Sequence, residues 1–141
     1  MGNTAESQAR ADFGPGEAPL VLVVDDNGDS RAICEASLRT VGYRTATVAS
    51  GAEALARLDE IRPALVVLDL AMPGVDGFAT ARAIRARPHQ AELPILVCTG
   101  LPPGAEQRAR QAGGTAFCTK PIEPRRFLAE VRRLCPAGRN E

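Results

Sequence analysis

The chain has 141 residues, 45% of them hydrophobic and 24% charged, and its 17 basic and 17 acidic side chains cancel. That size suits one compact domain with an apolar core of its own and leaves no room for a second. The balanced charge directs no field at nucleic acid or an anionic membrane, and the polar N-terminus does not resemble a secretory signal. No apolar run approaches the roughly 20 residues that cross a bilayer, so a cytoplasmic place is expected.

Residues 1–19 contain no Val, Ile or Leu and mix Gly, Pro, Ser and Thr, which predicts a disordered tail that cannot bury enough surface to order itself. The foldable region is expected over 20–135, with 136–141 as a short C-terminal tail. A first apolar run, Leu20-Val21-Leu22-Val23-Val24, predicts a strand that ends in Asp25-Asp26. Cys34, Leu38 and Val41 then recur at helical spacing, with Asp29 or Ser30 as the expected cap and Gly42 just past the end. Arg44-Thr45-Ala46-Thr47-Val48 is a weaker strand. Ser50 caps a second helix whose buried face carries Ala54, Leu55, Leu58 and Ile61.

Pro63 stands ahead of a third strand, Leu65-Val66-Val67-Leu68, which ends in Asp69. Pro94 stands ahead of a fourth, Ile95-Leu96-Val97-Cys98, which ends in Thr99. A proline in those places removes an N–H where the loss does least damage. Pro102-Pro103-Gly104 delays the fourth helix and Gly113-Gly114 closes it early, before a short fifth strand, Ala116-Phe117-Cys118, that runs into Thr119-Lys120. Phe127, Leu128, Val131 and Leu134 mark a last helix, with Arg125, Arg126, Arg132 and Arg133 on its solvated side. Three of the strands are apolar without alternation, as in a parallel sheet covered on both faces. Five strands alternating with five helices imply a doubly wound α/β fold.

The four cysteines, Cys34, Cys98, Cys118 and Cys135, contain no Cys-x-x-Cys pair, so reduced core thiols are expected. Cys98 and Cys118 fall on strands that could be neighbours, which keeps a redox pairing open. His89, in Arg87-Pro88-His89-Gln90, reads as a surface residue of a loop.

The polar residues collect by position. In an open parallel sheet the carboxyl ends of the strands share one edge, so Asp25-Asp26, Asp69, Thr99 and Lys120 converge there from four strands. One Asp after a strand is usually a turn former, but acidic, hydroxyl and basic groups at four ends of one sheet are not accounted for that way. Carboxylates gathered together repel one another unless a cation joins them, and Mg²⁺ suits an oxygen site that offers only one or two protein carboxylates plus phosphate. A carboxylate beside such an ion can attack phosphorus and form an acyl phosphate, with Lys120 and Thr99 supplying charge and a hydroxyl.

The segments Val23-Val24-Asp25-Asp26-Asn27, Leu68-Asp69-Leu70-Ala71-Met72-Pro73-Gly74-Val75-Asp76-Gly77, Thr99-Gly100 and Lys120-Pro121 resemble the receiver domain of two-component response regulators, of the chemotaxis-receiver kind. The likeness covers residues 20 to 134. It implies a flavodoxin-like three-layer sandwich with strand order 2-1-3-4-5. It implies Asp69 as phospho-acceptor, with Mg²⁺ bound by Asp26, Asp69 and the backbone carbonyl of Ala71, and by Asp25 through water. Lys120 would pair with the phosphoryl group and its peptide bond to Pro121 would be cis, Thr99 would follow the phosphoryl oxygen, and Phe117 would change rotamer with it.

The implied partners are a histidine kinase or histidine phosphotransfer protein and a downstream protein target, with no direct contact to nucleic acid or membrane. The responding face would be the fourth helix, fifth strand and fifth helix, also the place of a weak homodimer. No enzymatic activity is implied beyond self-phosphorylation and slow self-dephosphorylation. Residues 136–141 offer no output domain, so output is expected by protein contact or from a longer regulator or hybrid kinase containing this domain.

Several positions depart from the family pattern. Phe117 stands where Tyr is frequent, Ala71 and Leu101 are apolar where polar residues tune dephosphorylation, Ile122 replaces a common Phe, and Pro102-Pro103 alters the entry to the fourth helix. Three other functions fit less well. An aspartate-nucleophile phosphatase would need a second carboxylate at Ala71, a flavin carrier would put phosphate against Asp25-Asp26, and a degenerate scaffold would not keep every acceptor, metal, hydroxyl and lysine position.

Overall fold

In the computed structural model the structure describes residues 18–72, 77–100 and 104–136. Both expected tails, apart from Ala18, Pro19 and Pro136, lie outside the described residues, as do Pro73 to Asp76 and Leu101 to Pro103. The elements alternate without exception: β1 (Leu20–Val24), α1 (Gly28–Thr40), β2 (Arg44–Val48), α2 (Gly51–Leu58), β3 (Leu65–Leu68), α3 (Gly77–Arg85), β4 (Ile95–Thr99), α4 (Ala105–Ala112), β5 (Ala116–Thr119) and α5 (Pro124–Leu134). All pairings are parallel, and the sheet runs β2-β1-β3-β4-β5. This is the flavodoxin-like order.

Side chains alternate across the pleat, and the sequence fills both faces. Val21, Val23, Val67, Leu96 and Cys98 meet Leu38 of α1 and Phe127 and Val131 of α5 on one side. Leu22, Val24, Leu68 and Val97 meet Leu58 of α2, Ile84 of α3 and Ala109 of α4 on the other. The result is three layers, with β3 buried along its whole length. Burying each such side chain contributes about 1.5–3 kcal/mol, and this two-sided core anchors the strand ends that carry the polar residues. Among the described residues no helix is long and apolar enough to cross a membrane.

Helix ends follow local chemistry. The cap of α1 is Asn27, whose Oδ1 accepts from the Ser30 N–H at 2.9 Å, and neither Asp29 nor Ser30 fills that role. Asn27 sits one step ahead of Gly28 in extended backbone, so the helix starts earlier than the apolar pattern alone suggests, and Asp29 instead lies in the first turn, where its charge suits the helix dipole. Ser50 caps α2 as expected, accepting from Glu53 N, while Glu53 reaches back to Ala49 N. Gly42, at φ 97°, follows α1.

The far end of α4 is tied down. Arg85, at the end of α3, donates to the carbonyl of Gly113 at 2.6 and 3.1 Å, to the carbonyls of Gln90 and Leu93, and to Thr115 Oγ1. One half-buried guanidinium thus links α3, the start of β4 and the turn that ends α4.

Candidate phosphorylation site

The edge formed by the carboxyl ends of β1, β3, β4 and β5 brings together Asp25, Asp26, Asp69, Thr99 and Lys120. Ladder bonds continue past the strands and set the depth of each: Asp69 N donates to Val24 O at 3.0 Å, and Lys120 N donates to Thr99 O at 3.1 Å. Asp25 and Asp69 are 3% and 6% exposed, whereas Asp26 is open to solvent. Lys120 Nζ reaches between the two buried carboxylates, 2.7 Å from Asp25 Oδ2 and 3.1 Å from Asp69 Oδ2. Burial pulls the Lys120 ammonium towards losing its proton, but its hydrogen bonds to Asp25 and Asp69 outweigh that, and the net shift is upwards.

Each buried carboxylate is further fixed by its own loop. Asp25 Oδ1 accepts from Asn27 N and Asp69 Oδ1 accepts from Ala71 N, both at 2.9 Å. Such turns leave one oxygen oriented by backbone and the other turned to Lys120. Ligand oxygens of Asp25, Asp26 and Asp69 all lie within 4.8 Å of one another. Three carboxylates against one ammonium leave two negative charges uncompensated. A hard divalent cation fits this donor set in charge and in chemistry.

Thr99 Oγ1 is shielded from solvent and has no hydrogen-bond partner among the described residues. It borders a small cavity also lined by Leu70, Val97, Ala105, Ala109 and Phe117. An unpaired buried hydroxyl costs about 1–3 kcal/mol, so the present arrangement favours any state that gives it an acceptor. Phe117 is half buried, and the Arg110 guanidinium of α4 lies 4.6 Å from its ring centre. The Lys120-Pro121 peptide bond is cis.

Two contributors were not visible in the sequence. Arg31, in the first turn of α1, donates from Nη1 to the Asp25 carbonyl at 2.8 Å and pins the Asp25-Asp26 loop from outside. Arg110 reaches Phe117 from another element. Basic residues at those helix positions look solvated in a pattern of periods, and only the packing of α1 and α4 gives them partners. Asp25 and Asp26 also divide their work unequally, because Asp25 is the buried partner of Lys120.

The family described as the response regulator receiver domain matches residues 21–132 of this chain. The chain belongs to that family. Among curated relatives of the receiver domain, the transcriptional regulatory protein AfsQ1 of Streptomyces coelicolor is 35% identical over 124 residues, covering 87% of this chain and 54% of that protein. The chain spans about half the length of the curated relatives it matches. The chemotaxis protein CheY4 of Vibrio cholerae has a similar structure, with TM-score 0.78 and 32% identity over 82% of this chain and 98% of that one. So does the receiver domain of the sensor histidine kinase PA1611 of Pseudomonas aeruginosa, which holds a magnesium ion in its active-site cleft, at TM-score 0.76 and 29% identity over 82% of this chain and 96% of that one.

Proposed function

We propose that this receiver domain takes a phosphoryl group from a phosphohistidine of a histidine kinase or phosphotransfer protein onto Asp69, in the cytoplasm, and signals to a protein partner. The observation that carries this reading is Lys120 Nζ bridging Asp25 and Asp69 while Asp26 brings a third carboxylate within 4.8 Å. Asp26, Asp69 and the Ala71 carbonyl would hold Mg²⁺, with Asp25 acting at one remove. When bound, the ion neutralises the clustered carboxylates and the incoming phosphoryl oxygens.

In the transfer an Asp69 carboxylate oxygen bonds to phosphorus as the phosphorus–nitrogen bond breaks, and the bonding pair returns to the imidazole. Lys120 exchanges a carboxylate contact for a phosphoryl oxygen, and Thr99 gains the acceptor it lacks. Phe117 can then turn into the cavity beside Thr99, and the face of α4, β5 and α5 changes shape. The test is incubation with a small acyl-phosphate donor and Mg²⁺, read by intact mass for the native chain and Asp69→Asn. A phosphatase reading is disfavoured because Ala71, two residues past Asp69, offers no second acid.

Two further results are expected. Arg31→Gln removes the clamp on the Asp25 carbonyl and should weaken Mg²⁺ binding roughly tenfold, the lower end for residues that support metal ligands. Amide shifts during a Mg²⁺ titration measure this, and Arg31→Lys should restore part of the loss. Arg110→Gln removes a cation–π contact of about 0.5–1 kcal/mol from the ring's present position, so affinity for beryllofluoride with Mg²⁺ should rise roughly two- to fivefold. An unchanged or lower affinity in the Arg110 variant would mean that the ring does not leave the guanidinium on activation.

A further inference from the structure

Cys34 of α1, Cys98 of β4 and Cys118 of β5 share the layer between the sheet and the α1/α5 pair. Cys98 and Cys118 are direct register partners, so their side chains leave the same face of neighbouring strands. Parallel strands lie about 4.8 Å apart, which is inside the Cα separation of about 4.4–6.8 Å that a disulfide spans. The two thiols are close enough for each to shift the acidity of the other. We infer that Cys98 and Cys118 are a redox modification site, closing to a reversible disulfide under a peroxide and thereby restraining the phosphorylation site above them.

The two sulfurs are not equivalent. The neighbouring Cys98 thiol lowers the Cys118 thiol against the opposing effect of burial, while the Cys118 neighbour and burial hold Cys98 well above its usual range. Cys118 also sits on the edge strand, at 7% exposure against 2% for Cys98. It is therefore the attacking group. Its thiolate takes one oxygen of hydrogen peroxide as the oxygen–oxygen bond breaks, and the departing hydroxide leaves as water with the thiol proton. The Cys98 sulfur then displaces the sulfenic hydroxyl, which leaves as a second water with the Cys98 proton. Two thiols are oxidised and one peroxide is reduced to two waters.

The bond holds the two Cβ atoms at about 3.8 Å, so it fixes the spacing of the two strands at this level. The next register pair is Thr99 and Thr119, and Lys120 follows directly. The restraint therefore falls on the hydroxyl and the ammonium of the site. This consequence rests on the phosphoryl-acceptance reading, whereas formation of the bond does not.

The experiment treats the folded chain with hydrogen peroxide, unfolds it, alkylates it and counts blocked thiols by intact mass, with peptide mapping to locate the pair. Two of the four thiols should be lost together with two hydrogens, as a Cys98–Cys118 linkage that dithiothreitol reverses. Cys98→Ser and Cys118→Ser should each form no such linkage. Retention of all four thiols, or a map that joins Cys34 or Cys135 instead, would overturn the assignment. In a second arm the oxidised native chain should label with an acyl-phosphate donor roughly tenfold more slowly than the reduced chain, since misplacement near 1 Å can cost more than that. Equal labelling would overturn the regulatory half. A reduced chain that never labels would instead count against Asp69 as acceptor and leave the thiol result standing.

Discussion

Asp69→Asn is expected to abolish phosphoryl incorporation while leaving the fold intact. The amide keeps the size of the carboxylate but has no anionic oxygen to attack phosphorus, so labelling should fall by on the order of 10³-fold or more, about 4 kcal/mol in barrier. Stability should not fall with it. Removing one of three carboxylates packed within 4.8 Å relieves repulsion, and Lys120 keeps its 2.7 Å contact to Asp25. The expected combination is a blank in the mass measurement and a melting temperature equal to or above that of the native chain. Labelling that persisted in Asp69→Asn at the native rate would assign the acceptor role to another carboxylate.

Gly77→Ala is expected to be the most damaging single methyl addition. A Cβ on Gly77 would stand 2.3 Å from Leu70 Cα and 2.5 Å from Asp69 O, and both are backbone atoms with no rotamer to escape into. Gly77 N also donates to Leu70 O at 3.2 Å, so α3 begins pressed against the strand end that carries Asp69. Overpacking of this kind costs about 1–3 kcal/mol, and a melting point lowered by roughly 5–15 °C is expected. Labelling at Asp69 should fall even below the melting transition, because the chain relieves the clash by moving residues 69 and 70. Gly28→Ala is the matched control. Its Cβ would meet only the end of Arg31 at 3.6 Å, and the change should be neutral or stabilising by up to about 1 kcal/mol. Equal melting points for the two variants would show that the Gly77 contact is not tight.

Most of the fold was legible because its strands are uninterrupted apolar runs and its helices show one apolar face each. The convergence of Asp25, Asp26, Asp69, Thr99 and Lys120 followed from a rule about parallel strands and needed no side-chain detail. The residues of α3 were not picked out in the sequence, although Phe78, Ala81 and Ile84 do recur at helical spacing and are buried. Asn27, Asp29 and Ser30 are all good caps for α1, and only the hydrogen bond from Ser30 N to Asn27 separates them. Arg31, Arg85 and Arg110 were illegible for a different reason. Their partners belong to other elements or to backbone carbonyls, and long side chains conceal such contacts from any count of periods.

The Arg85 clasp constrains how a signal can travel. It holds the Gly113 carbonyl, and the backbone there, at φ 122°, lies against the Arg85 side chain so closely that a Cβ would meet its Cγ at 2.7 Å. The terminus of α4 remote from the acidic edge is thus tied to the end of α3. On the proposed reading, activation would tilt this helix about Gly113 in place of sliding it along the sheet, and displacement would grow from Ala112 towards Ala105.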